Sequence, residues 1–241
     1  MIQKEKKFFP IWCILCFFCL LCVASIIEWR MNVHGLPDNV GHKLTLEEQV
    51  EIIADNSSMI KYVYLSPNAT FPREKKIKKI TIHHMAGTIS LERLGEFFAD
   101  LNRHASSNYA IDINGNVGLY VEEKNRAWTS SSPQNDNQAV TIEVANDENG
   151  GEWHVSDASY HTLIELCVDI CRRNEIKELI WTGDEKGTLT IHKFFNTETE
   201  CPGSYLESLM DDIAAVSYTH LHYNNVIKLF FFSISQNGII A

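Results

Sequence analysis

Basic residues are scarce in this sequence: 21 Lys and Arg stand against 31 Asp and Glu, and the formal net charge is −10. Because binding to nucleic acid depends on clustered positive charge, this balance argues against nucleic acid as a partner. The sequence also lacks a glycine-rich phosphate loop and an internal repeat. With 45% hydrophobic and 22% charged residues, the composition is typical of a globular protein and not of a disordered one.

A disulfide framework is also absent from the cysteine pattern. Four of the seven cysteines fall in one apolar run near the N-terminus, where we expect them to act as small hydrophobic side chains. Two more are one helical turn apart and are predicted core positions, and the seventh stands alone. In chain order the three groups are Cys13, Cys16, Cys19 and Cys22; Cys167 and Cys171; and Cys201.

The apolar run itself covers residues 8–27, which are twenty residues without a charge. A helix of that length spans the roughly 30 Å hydrocarbon core of a bilayer. The lysines before the run favour a cytoplasmic N-terminus, so the sequence predicts a membrane anchor over 1–30 with the rest of the chain extracytoplasmic. The alternative is secretion after cleavage of a signal peptide, for which Val23-Ala24-Ser25 offers a small-residue cleavage site.

Hydrophobic periodicity predicts alternating helices and strands after the anchor. Because helices and strands alternate, we expect an α/β fold with a mixed central β-sheet flanked by helices, in a single domain. The chain is divided into the anchor, a short helix and linker over 31–61, the domain over 62–216, and an atypical tail over 217–241 without assigned function. Helices are predicted over 45–54, 90–102, 157–174 and 204–215, strands over 79–84, 139–146 and 179–181, and a hairpin around Asn114-Gly115.

One strand ends in the motif ITIHHMAG, residues 80–87, with two adjacent histidines. Successive side chains of a strand point to opposite faces, so His83 and His84 cannot both enter one site. A second motif, IHKFFNTETECPG, places His192 nine positions before Cys201. Zinc accepts imidazole nitrogen and thiolate sulfur, and a hydrolytic site keeps a fourth position for water. His83, His192 and Cys201 therefore form a candidate three-ligand zinc site.

The chain from about 62 to 215 resembles the zinc-dependent N-acetylmuramoyl-L-alanine amidases, the family shared by phage lysins, bacterial amidases and peptidoglycan recognition proteins. The resemblance is closest to the amidases of Gram-positive bacteria and their prophages. It rests on four motifs in the family's order: ITIHHMAG, SSNYAIDINGNVGLYVEEKNRAW, NDNQAVTIEVAN and IHKFFNTETECPG. It implies one zinc ion held by His83, His192 and Cys201, with His84 facing away into packing or hydrogen bonding.

Two departures from the family pattern accompany this resemblance. The family usually separates its second histidine from the cysteine by eight positions, whereas this chain has nine, and loops absorb such insertions at modest cost. Some members carry a catalytic tyrosine eight residues before the glycine of the hairpin turn. Counting back from Gly115 gives Ser107, so this chain lacks that tyrosine, and Tyr109 is not given its role.

The acid in the strand VTIEV offers a replacement for that tyrosine. A lone acid in a central strand is costly unless it has a partner or a function, and related amidases carry a glutamate beside the zinc water. We therefore predict Glu143 as the general base and Thr199, two residues before Cys201, as a donor to the oxyanion. Asn108 and Trp128 are predicted to bind substrate, although Trp128 is equally suited to core packing.

The resemblance implies hydrolysis of the amide bond between N-acetylmuramic acid and L-alanine in peptidoglycan. The expected partners are peptidoglycan and, through the N-terminal helix, the membrane; the chain is expected to act as a monomer. The alternative is a recognition module that binds peptidoglycan without cutting it. Such members typically lack one metal ligand, so the presence of Cys201 favours the enzyme.

Overall fold

The computed structural model describes residues 36–221. The predicted membrane helix over 8–27, and all of the predicted tail after residue 221, lie outside the described residues. Within the described range, no helix combines the length and apolar character needed to cross a bilayer. All the candidate site residues belong to one compact unit that begins at Asn39.

Side-chain caps fix where the main helices begin. Thr45 and Glu48 form the predicted capping box, in which the Thr45 hydroxyl accepts from the Glu48 N–H at 3.3 Å and the Glu48 carboxylate accepts from the Thr45 N–H at 2.7 Å. Ser90 and Ser156 cap the next two long helices. The helices are α1 (Leu46–Asp55), α2 (Leu91–Ala99), α3 (Pro133–Asp136), α4 (Asp157–Arg173) and α5 (Ser204–Ser208), and helical backbone resumes over residues 210–221.

The central sheet has six strands in the order β1-β5-β4-β7-β3-β8. The pair β4–β5 is antiparallel and the other four pairs are parallel, so the predicted mixed sheet is confirmed. A two-stranded antiparallel ribbon, β2–β6, stands apart from it. The strands are β1 (Ile60–Val63), β2 (Ala69–Thr70), β3 (Lys79–His84), β4 (Tyr109–Ile111), β5 (Val117–Leu119), β6 (Arg126–Ala127), β7 (Ala139–Val144) and β8 (Leu189–Ile191).

The two faces of the sheet are covered differently. Isoleucines and valines of β3, β7 and β8 pack in the main core with α4, with Ile52 of α1 and with Leu206 of α5. On the other face, Leu94 and Phe98 of α2 pack in a smaller cluster with Ala110 and Tyr120. The polar side chains of the strands also lie on this second face. One face of the sheet therefore packs in the main core, and the other carries the candidate site.

Several of the predicted boundaries are corrected by the structure. The strand predicted over 139–146 ends at Val144, and the helix predicted over 204–215 is interrupted at Leu209. Residues 179–181 are not a strand; the segment is irregular, although the Ile180 carbonyl accepts from the Leu189 N–H at 3.1 Å. Helix α2 ends at Ala99, three residues early, because Asp100 is extended and its carboxylate caps a 3₁₀ turn over Leu101–Arg103. Strand β1 occupies part of the predicted linker and pairs with β5. The predicted domain start at residue 62 thus falls inside a strand of the sheet.

Candidate active site

Three neighbouring parallel strands carry the same short pattern, Thr-Ile followed by a functional residue. The segments are Thr81-Ile82-His83, Thr141-Ile142-Glu143 and Thr190-Ile191-His192. The register aligns the three threonines and the three isoleucines, and it pairs His83 with Glu143 directly. Since side chains alternate along a strand, all three isoleucines enter the core while the histidines and the glutamate share the opposite face. The sheet therefore assembles these three groups at its carboxyl edge.

The three threonines form a buried polar floor beneath those groups. The hydroxyls of Thr81 and Thr190 lie 2.9 Å apart, and that of Thr141 lies 2.8 Å from the Thr129 hydroxyl. The Asn135 amide donates to the Thr81 hydroxyl at 3.0 Å. Hydrogen bonding of this kind locks rotamers, so the strands present the site residues from a rigid base.

Cys201 joins the two histidines from a loop. One ligand atom from each of His83, His192 and Cys201 can be chosen so that all three lie within 4.8 Å of one another. The two imidazole rings are 4.6 Å apart between centroids, and Cys201 and His83 are buried. The Cys201 carbonyl accepts from the Lys193 N–H at 3.1 Å, which ties this loop to the end of β8. The structure thus brings together all three residues predicted as zinc ligands.

Several polar atoms at this point are buried without a partner. Both ring nitrogens of His83 and Nε2 of His192 make no hydrogen bond, although buried nitrogens normally have one. An ion in contact with these nitrogens would account for them. Two imidazoles and one thiol are the nitrogen and sulfur donors that zinc prefers, and three protein ligands leave a position open. The residues present therefore fit a catalytic zinc ion.

Burial also sets the charge of the histidines. The pKa of His83 is well below its usual range, first because the ring is buried and second because His192 is close. Burial, together with nearby His84, lowers the pKa of His192 to about 4. Both rings are accordingly neutral at pH 7, which is the form that binds a metal. Burial raises the pKa of the Cys201 thiol, so the thiol must release its proton when a metal binds.

Glu143 lies beside this cluster. Its Oε1 is 3.9 Å from Nδ1 of His83, its Oε2 has no hydrogen-bond partner, and 15% of the side chain is exposed. Burial raises the pKa of Glu143 to about 8. The side chain lines a cavity of about 290 Å³ together with His84 and residues of α2. Glu143 is thus an acid that reaches both the cluster of candidate metal ligands and an open cavity.

With this geometry established, the chain can be compared with known proteins. Residues 73–204, more than half of the chain, match the protein family Amidase_2, described as N-acetylmuramoyl-L-alanine amidase. The chain belongs to this family. The search of curated proteins gives no match.

Solved structures support the fold of this amidase-family chain. A mutant structure of PlyL has a TM-score of 0.52 and 13% sequence identity, and the alignment covers 65% of this chain and 96% of PlyL. The crystal structure of the Staphylococcus aureus hydrolase AmiA in complex with its ligand has a TM-score of 0.51 and 12% identity, with 73% of this chain and 92% of AmiA covered. At these identities the similarity concerns the fold alone.

Among the predicted substrate-binding residues of this family member, Trp128 borders open space. Its ring is half-buried, its Nε1 donates to the Thr70 hydroxyl at 3.0 Å, and it lines a cavity of about 450 Å³. Arg103 and Ala105 line this cavity and also the cavity beside Glu143. The two cavities are therefore neighbours, and we refer to them together as the groove; its end at Glu143 lies beside the candidate metal ligands. Sequence reasoning singled out neither Arg103 nor Ala105.

Asn108, by contrast, has a structural role in this conformation, although it was predicted to bind substrate. Its side chain is fully buried. The amide oxygen accepts from the Thr141 N–H at 3.1 Å, and the amide nitrogen donates to the Val121 carbonyl at 2.9 Å. Asn108 therefore joins β7 to the segment that follows β5, and it has no surface to offer a ligand.

Thr199 sits in the turn before Cys201. Its hydroxyl oxygen accepts from the Cys201 N–H at 3.1 Å, so part of its role is to shape that turn. The hydroxyl proton is not used by this bond and remains free to donate, which leaves its predicted catalytic role compatible with the structure.

Ser107 and Tyr109, at and near the position of the family tyrosine, are both fully buried away from the site. The Tyr109 hydroxyl donates to Glu123 at 2.8 Å. Withholding the catalytic role from Tyr109 therefore agrees with the structure.

Proposed function

We propose that this protein is a zinc-dependent amidase that hydrolyses the bond between N-acetylmuramic acid and L-alanine in peptidoglycan. One observation carries the proposal: the donor atoms of His83, His192 and Cys201 converge within 4.8 Å, next to Glu143 at the edge of a cavity. Family membership supports the same reaction. The open groove beside the cluster leaves room for a polymer chain to enter.

Zinc, when bound by these three residues, supplies a Lewis acid that polarises the scissile carbonyl and lowers the pKa of water toward about 7. The positive charge of a bound zinc ion would favour the ionised form of Glu143. In that form the carboxylate takes the proton of the attacking water and passes it to the leaving nitrogen. The water oxygen bonds to the carbonyl carbon, and the carbon–nitrogen bond breaks. The products are a lactyl carboxylate on the sugar and a peptide with a free L-alanine amino terminus. The Thr199 hydroxyl donates to the developing oxyanion.

Substrate would lie along the two cavities that share Arg103 and Ala105. The cavity beside Glu143 receives the scissile bond, and the cavity beside Trp128 receives a more distant part of the sugar or of the stem peptide. The half-buried indole offers an apolar face whose orientation is fixed by its hydrogen bond to Thr70.

The competing function is a recognition module that binds peptidoglycan without cleaving it. A binding module needs the groove but has no use for three converging ligand atoms and an adjacent acid. The direct test incubates the purified residues 33–221 with purified cell wall and measures bound zinc and the appearance of L-alanine amino termini. Cys201→Ser is the matched control, because it removes one metal ligand and leaves the groove. Binding to wall without new amino termini, in zinc-loaded protein, would establish the recognition module.

We further propose that the apolar run over 8–27 anchors the protein in the membrane, with the amidase domain as a monomer on the extracytoplasmic side. The support is the length of the run and the lysines before it. Fractionation of cells that express the full chain tests this proposal. Recovery in the medium of a form that begins after Ser25 would show secretion instead.

A further inference from the structure

Cys201 is held in place differently from the two histidines of the site. His83 lies within β3, and His192 directly follows β8. Cys201 comes nine residues after His192 and lies outside the sheet. Besides the bond from Lys193 to its carbonyl, its support comes from the segments that pack against it. Those segments converge on one side chain, Asn146, for which sequence analysis predicted no function.

Asn146 is fully buried just beyond the end of β7. Its amide oxygen accepts from the Gly87 N–H at 3.1 Å and lies 3.1 Å from Nδ1 of His84. Its amide nitrogen donates to the carbonyls of Trp153, at 2.7 Å, and His154, at 3.4 Å. Because the amide nitrogen faces two carbonyls, the oxygen faces His84, and Nδ1 of His84 must carry the proton. One side chain therefore links the end of β3 to the loop over 152–154.

Both linked segments touch the Cys201 loop. The His84 N–H donates to Sγ of Cys201 at 3.3 Å. Trp153 lies against Gly203, where an added Cβ would be only 2.6 Å from Cβ of Trp153. The Glu152 carbonyl accepts from the Tyr205 N–H at 3.0 Å.

The rings of His84 and Trp153 also meet edge to face, with centroids 4.8 Å apart. The two segments that Asn146 joins, the end of β3 and the loop over 152–154, thus contact each other and together support Cys201.

We propose that Asn146 is a positioning residue that holds Cys201 in place to bind the metal, acting through His84 and through the 152–154 loop. The inference rests on the proposed zinc site, but not on the reaction that the zinc serves. An N–H donated to the sulfur orients the thiolate, and the packing of Trp153 on Gly203 fixes the distance of the loop from the sheet. Hydrogen-bonded groups behind a metal ligand typically contribute 10- to 100-fold to metal affinity.

The test compares Asn146→Ala with Asn56→Ala in the zinc-free protein. Asn56 is an equally suitable target, because it is buried, its amide donates to the Ile52 carbonyl at 2.8 Å and its oxygen accepts from the Glu123 N–H at 2.8 Å, away from the site. Both variants lose buried side-chain hydrogen bonds, four contacts in Asn146→Ala and two in Asn56→Ala, and both should be less stable than the wild type. Zinc affinity, measured by competition with a chromophoric chelator, should fall about 10- to 100-fold in Asn146→Ala and stay unchanged in Asn56→Ala.

A second readout and a second variant keep the test decisive. Cobalt-loaded Asn146→Ala should show a weakened or shifted thiolate-to-cobalt absorption band, which a loss of stability alone would not produce. Trp153→Ala changes a half-buried side chain, so it should fold, and it should weaken zinc binding in the same direction. Wild-type zinc affinity and an unchanged cobalt band in folded Asn146→Ala would refute the proposal; if that variant does not fold, the same result in Trp153→Ala would refute it.

Amidase activity is assayed separately on the wild type. Zinc binding without amidase activity would refute the proposed function and leave this comparison intact.

Discussion

Replacing Glu143 by Gln separates the chemistry of the site from its scaffold. The carboxylate lies 3.9 Å from His83 and has one oxygen without a hydrogen-bond partner, so the isosteric amide breaks no bond that holds the fold. We expect Glu143→Gln to fold and to bind one zinc ion. Its turnover should nevertheless fall by about 10²–10⁴, the usual contribution of a general base. This loss corresponds to about 3–5 kcal/mol in the activation free energy.

The same substitution has a second, pH-dependent effect in the zinc-free protein. The pKa of Glu143 is raised by burial from 4.5 to about 8 in the folded state, so between these values the folded state holds a proton that the unfolded state has lost. The stability that this side chain contributes is therefore full below pH 4.5 and declines as pH rises toward 8. Zinc-free Glu143→Gln lacks this decline. At pH 7 it should be more stable than the zinc-free wild type by on the order of 3 kcal/mol, and the difference should vanish near pH 4.

The assays are urea unfolding of the zinc-free proteins at both pH values and single-turnover release of L-alanine amino termini by the zinc-loaded proteins. Glu123→Gln is the matched control, because Glu123 is a buried acid that is bonded to Arg173 at 2.6 Å and to Asn174 at 2.7 Å, away from the site. It should lose about 1.5–3 kcal/mol of stability and keep the turnover of its folded fraction. Near wild-type turnover in folded, zinc-loaded Glu143→Gln would remove Glu143 from the mechanism and direct attention to Thr199.

The other predictions concern the metal and one structural arginine. Metal analysis after dialysis should find less than one zinc ion per chain in His83→Ala, His192→Ala and Cys201→Ser. His84→Ala should still bind one zinc ion per chain at saturating zinc, and the opposite result for the two adjacent histidines would reverse their assignment. Removal of zinc by a chelator should abolish amidase activity and lower the unfolding temperature, and added zinc should restore both, since a ligand that binds the folded state stabilises it. Amidase activity that persists in the metal-free protein would exclude the zinc mechanism. Arg73→Lys should reduce the free energy of unfolding in urea by about 3 kcal/mol without changing zinc content, because the half-buried guanidinium donates to five backbone carbonyls of two segments, 123–125 and 136–139, and an ammonium group cannot reach them all. An unchanged unfolding midpoint would show that these bonds add nothing net.

Much of this architecture is readable from local patterns in the sequence. The capping box at Thr45, the strand β3, the buried strand β7 with its one acid and the apolar face of α4 each depend on neighbours in sequence, and each prediction agrees with the structure. The predicted strand over 179–181 is wrong because these apolar residues precede the true strand, β8, and make only one backbone hydrogen bond with it, at Ile180. The Thr-Ile repeat that aligns the three site strands was available in the sequence. It becomes meaningful only once those strands are known to be neighbours.

The residues around the site were harder to predict, since their roles depend on distant partners. Asn108 lies in a motif that the amidases share, but its bonds to Thr141 and Val121 take up its side chain, and no local pattern reveals such partners. Asn146 ends a motif that the amidases share and Arg103 lies outside all four motifs, but neither sequence context reveals a role. The positions of both side chains depend on how loops fold back on the sheet. Burial and long-range hydrogen bonding thus decide which polar residues face a ligand.

The sheet holds two of the candidate metal ligands and a loop holds the third, which has a consequence for the binding and release of the metal. His83 lies within β3 and His192 directly follows β8, so the sheet holds both imidazoles in place. We therefore expect an incoming ion to bind the two imidazoles first and the sulfur of Cys201 last. We expect the metal to dissociate in the reverse order, beginning with the loss of its bond to Cys201. On this expectation, the dissociation rate of the metal depends on how fast the Cys201 loop opens, and residues that do not contact the ion change that rate by stabilising or destabilising the loop.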